Sequence, residues 1–305
     1  MMRFSHLNES TISFMEKPIE AKIQWIVDDH FVYYEKAKRC LEQLDWIYEQ
    51  SIYIKDDDFP SDLEGLTIIG DSGAGKTSIV KEFIRLHSVE HHASYEAYPV
   101  AYAMLKDSIT GLKGLYSSLL SAFNHPFADP DSFKYKKVTI DQLEEVLVHT
   151  LKNTKTLVFF IDEFQHASGR SQQAILNQLK RTMLVSRVPF IPTGTPDVKK
   201  VLQLDLQLAD RCPIKNYTEL TNWEFDNEFR RFLAGYEKFL PFTEPSNLSS
   251  RLMAELIWNR VKFQIKGTII TNLRHLVRYL KKVAVRSLRM GNECITEEII
   301  NDTSY

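Results

Sequence analysis

Eight residues, Gly70-Asp71-Ser72-Gly73-Ala74-Gly75-Lys76-Thr77, carry the strongest chemical signal in the chain. A glycine at each end of the turn, then a lysine and a hydroxyl residue, reproduce the G-x-x-x-x-G-K-[ST] phosphate-binding pattern known as Walker A. Glycine lets consecutive backbone N–H groups point inward around phosphate oxygens, and a helix beginning at the lysine adds its positive dipole end. Lys76 supplies a point charge for the β- and γ-phosphates of a nucleotide, and the Thr77 hydroxyl is a magnesium ligand. The expected nucleotide is ATP with Mg2+, held by Gly70 through Thr77 together with Ser78.

A second cluster supplies acid chemistry. Leu157-Val158-Phe159-Phe160-Ile161 is an apolar run that ends on Asp162 and Glu163. Such a run reads as a buried strand, which delivers Asp162 to its C-terminal edge as the second magnesium ligand. Glu163, one residue on, is placed to orient and deprotonate an attacking water. A third strand end, Pro189-Phe190-Ile191-Pro192-Thr193-Gly194-Thr195, carries two more hydroxyl groups.

The elements that must position these groups alternate. Leu66-Thr67-Ile68-Ile69 reads as a short strand running into the glycine-rich turn, and Thr77 to His87 as the helix that follows. Further strands are expected over Tyr98 to Met104, Thr156 to Ile161 and Val188 to Thr193. Helices are expected around Leu115 to Phe123, Ile140 to Leu151 and Ser171 to Leu184. Apolar strands separated by helices imply a parallel α/β sheet covered on both faces. Upstream, Ile19 to Gln50 reads as amphipathic helix. Beyond Trp223 the pattern reads as wholly helical, with helices over Asp226 to Ala234, Ser249 to Ile257 and Ile270 to Leu288. The expected domains are an N-terminal helical extension (1–55), an α/β ATPase core (56–220) and a helical lid (221–305).

Composition narrows the function classes. The 305 residues are 44% hydrophobic and 26% charged, an ordinary soluble balance, with no run near the roughly 18 apolar residues of a membrane span. Neither a membrane partner nor a secretion signal is therefore expected, and a cytoplasmic location is. Cys40, Cys212 and Cys294 form no metal-ligand spacing. Net charge is −2, yet from Arg260 to Arg289 nine basic residues occur without an acid, enough for a local positive field.

Taken in order, these motifs resemble the TnsC/TniB family of AAA+ transposition regulators. The resemblance runs from about Asp62 to Ile300. Besides the phosphate loop it includes Gly114-Leu115-Tyr116, Ile161-Asp162-Glu163-Phe164-Gln165-His166, Gln178-Leu179-Lys180, Gly194-Thr195-Pro196, Leu208-Ala209-Asp210-Arg211, Trp223-Glu224, Phe239-Leu240-Pro241, Gly267 and Leu273-Arg274-His275-Leu276-Val277. Two positions depart from the pattern. Gln165-His166 stands where relatives often carry two histidines, and Cys212 where a phenylalanine commonly follows the arginine.

The resemblance implies a P-loop NTPase core with a parallel sheet, N-terminal helices and a C-terminal helical lid. It also implies catalytic roles. Thr195 is the first choice for a sensor of the γ-phosphate, with Thr193 second. Arg211 is the arginine finger reaching a neighbouring subunit, and Arg274 reads phosphates within its own subunit. The loop after the second core strand is implied as the DNA contact, through Lys106, Thr110 and Lys113. The implied activity is ATP hydrolysis coupled to assembly, as a ring or helical filament, on double-stranded DNA of any sequence. The implied partners are a transposase and a target-selection factor, either a TnsD/TniQ-like protein or a CRISPR effector. On the residues alone, a clamp-loader or initiator ATPase and a signalling NTPase that never touches DNA remain open alternatives.

Overall fold

The structure, a computed structural model, describes residues 4–54, 63–91, 96–107, 111–129, 137–168, 171–265 and 267–304. It divides into two compact units. One is α/β and comprises Arg39–Ser72 and Lys76–Leu220. The other, largely helical, comprises Met1–Lys38, Gly73–Gly75 and Thr221–Tyr305.

The α/β unit is built on five strands: β1 (Thr67–Gly70), β2 (Val100–Met104), β3 (Val158–Asp162), β4 (Phe190–Gly194) and β5 (Ile214–Leu220). They lie in the order β2-β3-β4-β1-β5, and every neighbouring pair is parallel. All five C-terminal ends therefore meet one edge, where ligands of open α/β sheets bind. Strands β1, β3 and β4 are buried along their whole length, which is why they read as apolar runs.

Alternate residues of the central strands face opposite layers. Phe159 meets Phe190 edge-on at 5.5 Å, whereas Phe160, one residue on, meets Phe83 of the helix Lys76–Leu86 at 5.8 Å. Helices Leu112–Leu120, Ile140–Asn153 and Gln172–Ser186 bury Leu115, Leu147 and Leu179 in one continuous core with Phe159 and Phe190. Ile140–Asn153 starts at a capping box in which Thr139 and Gln142 each bond the other's backbone N–H.

Strand β5 was not expected from the sequence. Ile-Lys-Asn-Tyr-Thr-Glu-Leu is half polar and only Thr218 and Leu220 are buried, as befits a strand with a single neighbour.

Two expectations about the helical regions are corrected. The expected helix over Ile19 to Gln50 is two helices, Ile19–Val27 and Glu35–Ile54. The first stops where Asp28 turns extended (φ −60°, ψ 156°). The connecting stretch is held by packing: the His30 ring lies 4.3 Å from Trp25 and 4.9 Å from Phe239, and Trp25 Nε1 donates to Phe239 O at 2.8 Å. Tertiary contacts here outweigh helix periodicity.

The second correction concerns the region beyond Trp223, which is not wholly helical. After Arg251–Val261 the chain forms an antiparallel hairpin, Phe263–Ile265 with Thr268–Ile270. Gly267 (φ 87°) takes the left-handed conformation its turn requires. The helix Leu273–Arg289 buries Leu273, Leu276, Leu280 and Val283 and exposes Arg274, Arg278, Lys282 and Arg289. Among the described residues no helix is long and apolar enough to cross a membrane.

Candidate functional site

Strand β1 ends at Gly70 and the helix Lys76–Leu86 begins at the motif lysine, so the glycine-rich turn joins a buried strand to a helix N-terminus. Lys76 Nζ donates to the Gly70 carbonyl at 2.6 Å and the Asp71 carbonyl at 3.1 Å, which centres the ammonium under the loop. Thr77 and Ser78 are exposed on the first helical turn.

Gly73 and Gly75 have φ of 83° and 103°, values that side-chain-bearing residues rarely adopt. These two glycines group with the helical unit. There the Arg274 N–H donates to the Gly73 carbonyl at 3.1 Å, and a Cβ on Gly75 would lie 2.9 Å from Leu273 Cδ2. Asn272 caps the helix that starts with Leu273, bonding the His275 N–H at 2.9 Å and so fixing where Arg274 emerges.

Asp162 sits at the C-terminal end of β3, 6% exposed. Its Oδ1 accepts from the Glu163 N–H at 2.9 Å and from Thr193 Oγ1 at 2.7 Å. Its Oδ2 accepts from the Tyr102 hydroxyl at 2.8 Å. A carboxylate offers about four acceptor positions, so one on Oδ2 remains for a water of a hydrated cation. Burial, with Asp162 and Glu163 nearby, pushes the Tyr102 phenol above its usual pKa and keeps it a donor.

Glu163 departs from the strand in the left-handed conformation (φ 54°, ψ 38°), which is costly for a residue with a side chain and concentrated at functional sites. Its carboxylate is half-exposed. Gln165 Nε2 donates to Glu163 Oε2, and Gln165 Oε1 accepts the Thr195 N–H at 3.2 Å. Of the two threonines at the end of β4, Thr193 is the one whose hydroxyl reaches the acid pair. Thr195 takes part through its backbone.

Arg211 closes the short helix Leu206–Arg211, whose N-cap Asp205 also pairs with Lys180 at 2.6 Å. The next residue, Cys212, is locked against the sheet. The Thr67 hydroxyl donates to its carbonyl at 2.6 Å, its thiol faces the Phe190 carbonyl at 3.4 Å, and burial pushes that thiol up to about 12. Lys106 is exposed just after β2, and Lys113 is half-buried in the first turn of Leu112–Leu120. Thr110, and Ser108 beside it, lie outside the described residues.

The family model describing the bacterial TniB protein matches residues 22–224, well over half of the chain. The chain belongs to the TniB family. No curated protein matches this TniB-family sequence significantly. Its backbone is similar to the ORC1 protein of Aeropyrum pernix, solved in complex with DNA: TM-score 0.56 at 13% identity, covering 92% of this chain and 67% of that one. It is also similar to Drosophila ORC bound to DNA: TM-score 0.51 at 13% identity, covering 93% of this chain and 64% of the other. At such identity the likeness is one of fold, and that fold is the AAA+ P-loop core the motifs imply.

Sequence reasoning missed Tyr102 and Gln165 in this chain. Tyr102 lies inside an apolar strand and reads as core; only its pairing opposite Phe160 brings the hydroxyl to the carboxylate one residue beyond Ile161. Gln165 was visible as a departure from the family pattern, but no sequence feature connects it to Thr195.

Proposed function

We propose that this TniB-family chain is an ATP-hydrolysing regulator of transposition that assembles on target duplex DNA and recruits a transposase and a target-selection factor. The observation that carries the chemistry is that the phosphate loop after β1, the acid pair after β3 and the hydroxyl pair after β4 all leave one edge of one parallel sheet. In this reading Gly70 to Ser78 hold the nucleotide, and the Lys76 ammonium neutralises phosphate charge. The Thr77 hydroxyl and the open position on Asp162 Oδ2 fit a hydrated magnesium ion. When bound, that ion would offset the charge on the phosphate oxygens. Glu163 orients the attacking water and takes its proton, and Thr193 and Thr195 report the state of the γ-phosphate.

Arg211 is proposed as the group a neighbouring subunit supplies, a guanidinium matched to the charge on the transferred phosphoryl. Arg274 is proposed as the group that reads phosphates from the helical unit. Lys106 and Lys113, with Thr110, are proposed to hold the DNA backbone in a ring or filament. The family membership supports the transposition role, and the DNA-bound state of both AAA+ neighbours supports the duplex.

The test is a binding and turnover measurement on random-sequence duplex with ATP. Lys76→Ala is expected to lose nucleotide binding and with it nucleotide-dependent DNA binding. Glu163→Gln is expected to keep both while its turnover falls by roughly two orders of magnitude or more, the usual worth of a positioned base. Normal turnover in Glu163→Gln would sink the chemical assignment. DNA binding indifferent to nucleotide would sink the coupling.

A further inference from the structure

The helix Glu35–Ile54 carries a face that neither the core nor the nucleotide chemistry uses. Cys40, Leu41, Leu44, Ile47 and Ser51 form its buried side. One flank is fastened to the end of the helix Lys76–Leu86, where His87 Nε2 lies 3.0 Å from Asp45 Oδ1 and the His87 ring 4.0 Å from that of Tyr48. The other flank is fastened to β5, where the Tyr217 hydroxyl donates to Gln43 Oε1 at 3.2 Å.

Between these flanks runs a stripe of Glu42, Trp46, Glu49 and Tyr53, all exposed. Trp46 is 54% exposed and Tyr53 76%, whereas Trp25 is half-buried and Trp223 and Trp258 are buried. Alternating steps of four and three residues form the seam that one helix presents to another. Here aromatic rings occupy one set of seam positions and carboxylates the other. From Cys40 to Ile54 the chain carries Glu42, Asp45 and Glu49 but no lysine, arginine or histidine. Like charges three and four residues apart oppose helix formation, and wet aromatic rings forgo the burial that such side chains favour.

We propose that this stripe is a docking seam for a basic amphipathic helix of a partner protein. Arginine or lysine on that helix pairs with Glu42 and Glu49 and lies against the faces of Trp46 and Tyr53, where an aromatic ring attracts a cation. Seven residues of helix rise about 10.5 Å, so the two rings match basic residues one heptad apart. Nucleic acid is the wrong occupant, because phosphates are repelled by these carboxylates. The helix is fastened on both flanks before docking, so little ordering opposes binding. The seam works without nucleotide or DNA, and its test is independent of the roles proposed for Glu163 and Lys106.

The experiment titrates the full chain, at physiological ionic strength, into fluorescein-labelled synthetic helices that lack tryptophan. One carries arginine and leucine at heptad spacing on an alanine-rich background, a second has the same composition scrambled, and a third has glutamate in place of arginine. The basic heptad peptide is expected to bind the parent at least about tenfold more tightly than the scrambled one. Its unlabelled form should shift tryptophan emission to the blue. Trp46→Ala combined with Tyr53→Ala should weaken that binding by about tenfold and abolish the shift, with an unchanged thermal unfolding midpoint. Glu42→Lys combined with Glu49→Lys should reject the basic peptide and bind the glutamate peptide instead.

Equal binding of the heptad and scrambled peptides to the parent overturns the seam. So does parent-like affinity in the Trp46 and Tyr53 double variant, even where the charge-reversed variant loses binding, since attraction would then be diffuse. Failure of the charge-reversed variant to take the glutamate peptide overturns the pairing with Glu42 and Glu49.

Discussion

At the scale of single residues, Asp162 is held from several sides. Three donors converge on it from three directions: the next peptide, β4 through Thr193, and β2 through Tyr102. Hydrogen bonds to a charged acceptor are among the stronger ones, and a buried acceptor that loses its donor bears a desolvation cost. Thr193→Val and Tyr102→Phe preserve shape and delete one donor each, so each is expected to destabilise the protein by about 1–3 kcal/mol. Urea unfolding checks the magnitude. If neither variant shifts the unfolding midpoint, the network is incidental. The phosphate loop was legible because its chemistry demands residue types at fixed spacing within one short segment. The Thr193 contact was not, since thirty-one residues separate it from Asp162 and the pairing of β3 with β4 brings them together.

At the scale of elements, the sequence told most where one force dominated. Strands β1, β3 and β4 are buried on both faces and read as apolar runs. β5 and the Phe263–Ile270 hairpin are polar or exposed and carry little periodic signal, so only their pairing partners define them. The break between Ile19–Val27 and Glu35–Ile54 is a case where ring packing beats periodicity, and it has a measurable consequence. His30 donates to the Trp25 carbonyl at 2.6 Å, stacks on Phe239 and lies tilted against Trp25. Burial holds its pKa below the usual 6.5, with Lys281 acting the same way and the Trp25 carbonyl, Asp28 and Asp29 acting against it. Above both pKa values the ring is neutral in folded and unfolded chains and adds no pH dependence. As pH falls through 6.5 the unfolded chain binds the proton first, so stability falls until the lower folded value is passed. His30→Phe keeps a ring in the stack and removes the titration. Its loss of stability between about pH 7 and about pH 5 should therefore be smaller than the parent's, by thermal or denaturant unfolding across that range. An identical loss would place the acid sensitivity elsewhere.

At the scale of the whole molecule, a chain of net charge −2 is proposed to grip a polyanion, so the grip must be local. The basic helix Leu273–Arg289 competes with the segment after β2 for that role. Part of its charge is already engaged: Lys281 bonds Asp29 at 3.0 Å and the Val27 carbonyl at 2.7 Å, and Arg286 lies 3.7 Å from Asp302. Lys106 is exposed just after β2, and Lys113 lies in the first turn of Leu112–Leu120. A lysine ammonium is a compact point charge on a flexible stem with no fixed donor fork, so these side chains are expected to hold phosphate and leave the sequence largely unread. Each phosphate neutralised releases counterions, and log affinity then falls with log salt at a slope of about −0.9 per phosphate. Lys106→Ala is expected to weaken binding equally on duplexes of unrelated sequence and to flatten that slope by ~0.9 for every phosphate the substitution leaves unneutralised. Nucleotide affinity of the variant, measured in the absence of DNA, should match the parent. A salt slope and affinity unchanged in Lys106→Ala and in Lys113→Ala, in protein that still binds ATP, would move the duplex to another face, with the exposed Arg274, Arg278, Lys282 and Arg289 the next to be tested.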